Sequence, residues 1–121
     1  MRVALKVYLD TYPQLKAILI GTRSTDPFAS KLGPFEMTDD GWPDVMRVHP
    51  ILDWTYADVW MFLRGNCVGY CELYDQGYTS IGGLNNTMPN SQLADCEWRC
   101  GFKPAYMLKD GSKERDGRVK K

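Results

Sequence analysis

Histidine is nearly absent from this chain. His49 is the only one among 121 residues, which leaves little material for a histidine-based catalytic triad. There is no H-E-x-x-H and no C-x2-C pair, so the common zinc sites lack their ligands. No G-x-G-x-x-G follows a strand-like run and no G-x4-G-K-[ST] occurs, so a Rossmann dinucleotide turn and a Walker loop lack support. Net charge is absent too: 15 Lys and Arg balance 15 Asp and Glu. A general attraction to nucleic acid or anionic membrane is therefore not expected, and any anion site must be local. No apolar run approaches the roughly 18 to 20 residues of a membrane span, and Met1 to Asp10 lacks the small-residue cleavage pattern of a signal peptide. These absences lead to an expectation of a soluble, cytoplasmic protein, with mitochondria as the alternative.

What is present is a folding composition. Hydrophobic residues make up 44% and aromatics 12%, enough for one domain over residues 1–121 with a buried core. Residues 2–12 place Val3, Val7 and Tyr8 on one face of a short amphipathic helix that Pro13 ends. The run "LKAILIG" reads as a buried parallel strand closed by Gly21. Residues 22–46 read as a long functional loop punctuated by Pro27, Gly33, Pro34, Gly41 and Pro43. "MRVHPIL" reads as a second strand that lies at an edge or stops at Pro50. "TYADVWMFLRGN" is the clearest helix: Thr55 and Asp58 form a capping box, Tyr56, Val59, Trp60 and Leu63 keep the period, and Gly65 closes it. Residues 65–105 read as irregular and aromatic, and the tail "KDGSKERDGRVKK" as charged.

The cysteines, the histidine and the arginine–aspartate clusters are worth weighing for chemistry. Cys67 and Cys71, and Cys96 and Cys100, form two C-x3-C pairs. Reduced thiols are the expected state, ahead of zinc or a disulfide. His49, next to Pro50 in a strand-like segment, is expected to pack rather than catalyse. Arginine and aspartate recur beside turn residues in "TRSTDPF", "TDDGWPDVMR" and "KERDGR". Arginine's planar fork matches phosphate and its flat face stacks on rings, so Arg23, Arg47, Arg115 and Arg118 suit an aromatic phosphate ester. Surface charge pairing is the plainer reading of each one taken singly. The polar cluster after "ILIG" stands where ligands sit in open α/β sheets, at the carboxyl end of a strand.

Those stretches, together with "DWTYADVWMFLR", "YCELYDQGYTSIGGLNNTMPN" and the closing "ERDGR", resemble eukaryotic FAD synthase, the FMN adenylyltransferase of the PAPS reductase-like group. The resemblance covers nearly the whole chain in the family's order. It implies an α/β fold with a PAPS reductase-like parallel sheet flanked by helices, incomplete at its N-terminus, and an irregular flavin-binding C-terminal portion. It implies transfer of AMP from ATP to FMN, giving FAD and pyrophosphate, with magnesium assisting. The small-molecule partners would be FMN and ATP, with no nucleic acid and no membrane.

The resemblance places the aspartates of the T-D-P-F and T-D-x-x-W-P motifs on Asp26 and Asp39, and the arginines of E-R-x-G-R on Arg115 and Arg118. These four are the implied catalytic residues, and Gly21, Arg23, Thr25, Trp42 and Arg47 join them as implied FMN/FAD-binding residues; no residue is assigned to a metal. The nucleophile would be a phosphate oxygen of FMN, ionised at neutral pH, so the scarcity of histidine is no obstacle. The family's S-x-N-G-G-K-D phosphate loop has no counterpart in residues 1–121, and Gly82-Gly83 lacks the lysine and aspartate to replace it. The chain is thus expected to be the C-terminal part of such an enzyme, supplying mainly the flavin side and inactive alone. Exposed sheet edge and helix face would then favour self-association, which light scattering would test. Two alternative readings are a non-catalytic flavin-binding module and a sulfonucleotide reductase; the second needs a C-terminal cysteine, and the chain ends in "RVKK".

Overall fold

The helix over residues 2–12 forms as Arg2–Thr11 (α1), two residues short of Pro13. The residue before a proline is pushed away from helical backbone angles, and Tyr12 takes φ −124° and ψ 69°. The computed structural model describes residues 1–119; Lys120 and Lys121, the end of the charged tail, lie outside them. The chain divides into two units, Met1–Trp54 and Thr55–Lys121.

The first unit is α/β. Its three-stranded sheet has the order β1-β3-β2, from Ala17–Leu19 (β1), Phe35–Met37 (β2) and Met46–Val48 (β3). β1 pairs parallel with β3, Ile18 opposite Arg47, whereas β2 pairs antiparallel, Glu36 opposite Arg47. The sheet is therefore mixed rather than purely parallel. The eight residues between β2 and β3 are too few for a parallel crossover, so the chain reverses, with Gly41 at φ +79°. β2 lies inside the stretch expected to be loop, because three residues among Gly and Pro carry no readable alternation. β3 stops before Pro50 as expected, but it is the central strand and not an edge. β1 has a single neighbour and is not buried: Leu19 is 77% exposed. The apolar face of α1 is also open, with Val3, Val7 and Tyr8 exposed. The small interior is built from Ala29, Val45 and Leu52, with His49 beside them at 3% exposure. Nδ1 of His49 lies 2.9 Å from the Gly33 carbonyl, a packing role of the expected kind.

The second unit opens with α2, Tyr56–Gly65. Its capping box is complete: the Asp58 amide donates to Thr55 Oγ1 at 3.2 Å and the Thr55 amide donates to Asp58 Oδ2 at 2.8 Å. The Thr55 hydroxyl, followed by its amide, holds the Asp58 carboxyl below its ordinary value. A lowered folded value means a stabilising contribution present above about pH 4 and lost as pH falls through the folded value. Asp58→Asn is expected to lower the melting temperature at pH 7 and to flatten its decline between about pH 4 and pH 2. Identical acid profiles for both proteins would refute this.

Beyond α2 the chain makes five short 3-10 turns, Glu72–Gln76, Leu84–Asn86, Ser91–Leu93, Ala105–Met107 and Gly111–Lys113. They are held by an aromatic cluster. Trp60 is 6% exposed, with its ring centroid 5.1 Å from Tyr70, 5.3 Å from Tyr74 and 6.0 Å from Tyr106, all edge-on. Tyr56 donates its hydroxyl to the Ala105 carbonyl at 2.8 Å. Gly77, at φ +86°, sits where a Cβ would come 2.5 Å from that of Phe102, so both its backbone and its neighbour require glycine. All four cysteines are free and exposed.

Candidate functional site

"TRSTDPF" leaves the sheet at the carboxyl ends of the parallel pair, since the Ile20 amide donates to Val48 O at 2.9 Å and the Ser24 amide to Leu52 O at 2.7 Å. There Asp26 folds back on Arg23. Its Oδ2 accepts from the Arg23 amide at 2.9 Å and its Oδ1 from the guanidinium at 3.1 Å. Arg23 is 8% exposed, while Gly21 and Thr25 are exposed on either side. Phe28 follows at φ +66°, wholly exposed.

Antiparallel β2 brings the second aspartate to the other end of the sheet, past Met37 and Met46. Arg47 reaches from the central strand to Asp39, at 3.0 Å and 3.4 Å, and to the Met37 carbonyl at 2.8 Å. Glu36, which no sequence motif singles out, lies 3.7 Å from the same guanidinium and accepts from the Gly33 amide at 2.7 Å. Arg47 Nε is buried without a hydrogen-bond partner among the described residues. Trp42, half-buried, lines a groove of about 550 Å³ with Arg2, Val3, Lys6, Val7 and Asp10 of α1. Neither Asp26 nor Asp39 lines it.

In the second unit Arg115 and Arg118 stand on one turn, and the fold clamps that turn from both ends. Thr79 donates its hydroxyl to the Glu114 carbonyl at 2.6 Å, and Asn90, fully buried, donates to Lys113 O at 2.8 Å and to Thr79 Oγ1 at 2.9 Å. At the other end the Met88 amide donates to Gly117 O at 2.9 Å and the Val119 amide to Asn86 O at 3.2 Å. A Cβ on Gly117 would overlap the Met88 carbonyl. Arg115 is exposed and Arg118 half-buried, its Nη1 donating to Ser80 Oγ at 3.4 Å. Neither arginine pairs with a carboxylate among the described residues. A half-buried guanidinium without a counter-ion is a built invitation to an anion. Among the described residues no three His, Cys, Asp or Glu side chains gather to hold a metal ion. No described helix is long and apolar enough to cross a membrane.

Residues 2–89 match the phosphoadenosine phosphosulfate reductase domain, and the chain belongs to that family. Within it, the chain is similar to FAD-forming enzymes. It is 46% identical over 118 residues to the probable FAD synthase of Schizosaccharomyces pombe, covering 98% of this chain and 44% of that protein. The structure superposes with TM-score 0.89 on Candida glabrata FMN adenylyltransferase in complex with FAD and inorganic pyrophosphate, 32% identical, covering all of this chain and 54% of that one. The same enzyme with FMN and the ATP analogue AMPCPP gives 0.87, covering 98% and 55%. The chain thus spans between about a fifth and about half of the length of the relatives it matches.

Proposed function

We propose that this chain is the flavin-binding side of an FMN adenylyltransferase. A phosphate oxygen of FMN attacks the α-phosphorus of ATP, the bond to the β-phosphate oxygen breaks, and FAD and pyrophosphate result. The observation that carries the reading is the pair Arg115 and Arg118 on one clamped turn, both without a carboxylate partner among the described residues. The likeness to the Candida glabrata enzyme with FAD and pyrophosphate bound supports it.

In this reading Arg118 receives the phosphate of the flavin nucleotide and Arg115 lies against the flavin ring. Asp26 and Asp39, fixed by Arg23 and Arg47, hold the ring's polar edge or the groups that orient it. Trp42 offers an aromatic face for the flavin, in a groove that neither aspartate lines. No side chain needs to remove a proton, because the attacking phosphate is already ionised; what the residues supply is alignment and neutralised charge. Magnesium would be carried mainly by the phosphate oxygens of ATP and would add charge neutralisation there.

The test is a fluorescence titration of FMN with this chain. Quenching is expected, and Arg115→Ala is expected to weaken it about tenfold, the loss of one ring-stacking cation. A chain that leaves FMN fluorescence unchanged would refute the reading.

A further inference from the structure

Gly82 sits outside the left-handed backbone region, so its conformation alone does not call for glycine. What surrounds it does. A Cβ built on Gly82 would overlap the Arg118 guanidinium, and the three nearest atoms, Cζ, Nη1 and Nη2, all belong to that one side chain. The fork lies on bare backbone. That backbone is itself fixed: the Thr87 hydroxyl accepts from the Gly82 amide at 3.0 Å and donates to the Gly83 carbonyl at 2.9 Å. Thr87 also forms the isolated antiparallel bridge with Arg118. One residue therefore holds both the platform and the backbone of the arginine that rests on it. Ser80, 8% exposed, meets Nη1 at the near edge.

A platform of this kind has a chemical purpose. An arginine side chain has several rotatable bonds, and its rotamer freedom must be lost before two N–H groups can meet a phosphate together. A flat surface without a side chain allows the planar group to lie against it, restricts its tilt, and leaves the N–H rim open. We propose that Gly82 is a positioning residue: the step Gly82-Gly83, closed by Thr87, orients the Arg118 fork toward the phosphate of a flavin nucleotide. This rests on the function proposed above, and the experiment separates the two.

The chain is titrated with FMN and with riboflavin, which differ only in the phosphate. Wild type is expected to prefer FMN by at least about tenfold, one charge-assisted contact's worth of affinity. Arg118→Ala should erase that preference. Gly82→Ala should reduce it by about fivefold to tenfold, with riboflavin affinity and melting temperature unchanged, and should add nothing in an Arg118→Ala background. Loss of affinity for both flavins alike, an intact FMN preference in Gly82→Ala, or full additivity with Arg118→Ala would overturn the role of Gly82. A wild type that binds the two flavins equally, or an Arg118→Ala variant that keeps the preference, would remove the phosphate role of Arg118 and the platform with it.

Discussion

In a complete enzyme that carries this chain together with the phosphate loop, replacing Arg118 by alanine is expected to slow formation of FAD from FMN and ATP by about 10²- to 10³-fold, the cost of deleting one fixed donor where charge develops. The guanidinium is half-buried, backed by Gly82, touched by Ser80 at 3.4 Å and unpaired with any described carboxylate. The stability of the fold should hardly change, since the side chain gives up one long hydrogen bond to Ser80 and its packing on Gly82. Arg118→Lys keeps a charge but not the planar fork, and is expected to recover only a small part of the rate. Assay of FAD by separation from FMN distinguishes the three proteins. A rate for Arg118→Ala within a few-fold of wild type would remove this arginine from the chemistry.

Trp60→Ala is expected to cost about 3–5 kcal/mol of stability, the range for deleting a buried large aromatic. Trp60 faces four tyrosines, Tyr56, Tyr70, Tyr74 and Tyr106, from α2 and from the turns after it. Its loss leaves a hole lined by rings, in a unit whose only long element among the described residues is α2. Tyr106 would also lose the footing from which it receives the Arg64 guanidinium, 3.7 Å from its centroid. Trp60→Phe, which keeps an edge for some of these contacts, should cost less than half as much. Chemical denaturation followed by far-ultraviolet circular dichroism measures both, and a Trp60→Ala midpoint equal to wild type would refute the assignment of this cluster as the core.

The parts of this structure that could be read from the chain are those where local chemistry and fold agree. α2 is legible because a Thr-x-x-Asp box, a 3.6-residue period and a closing glycine coincide within a dozen residues. The polar cluster after β1 is legible because an apolar strand running into arginine, hydroxyls and an acid has the pattern of a ligand-facing strand end, and the structure sets it at the carboxyl ends of the parallel pair. β2 is hidden because three residues between Gly33-Pro34 and the Gly41 reversal hold no alternation. Glu36 is hidden with it, although an acid opposite an arginine in a neighbouring strand is plain once the register is known. The Gly82 platform leaves no signal at all: 36 positions separate it from Arg118, and a glycine chosen for what lies on top of it looks like any other glycine. The same holds for Thr79 and Asn90, whose hydrogen bonds to residues 113 and 114 are created only by tertiary folding.

Because β2 runs against the other two strands, the acidic turns at Asp26 and Asp39 stand off opposite ends of β3, a strand of three residues and roughly 10 Å. A molecule engaging both must lie lengthwise beside that strand, with Arg47 near its midpoint.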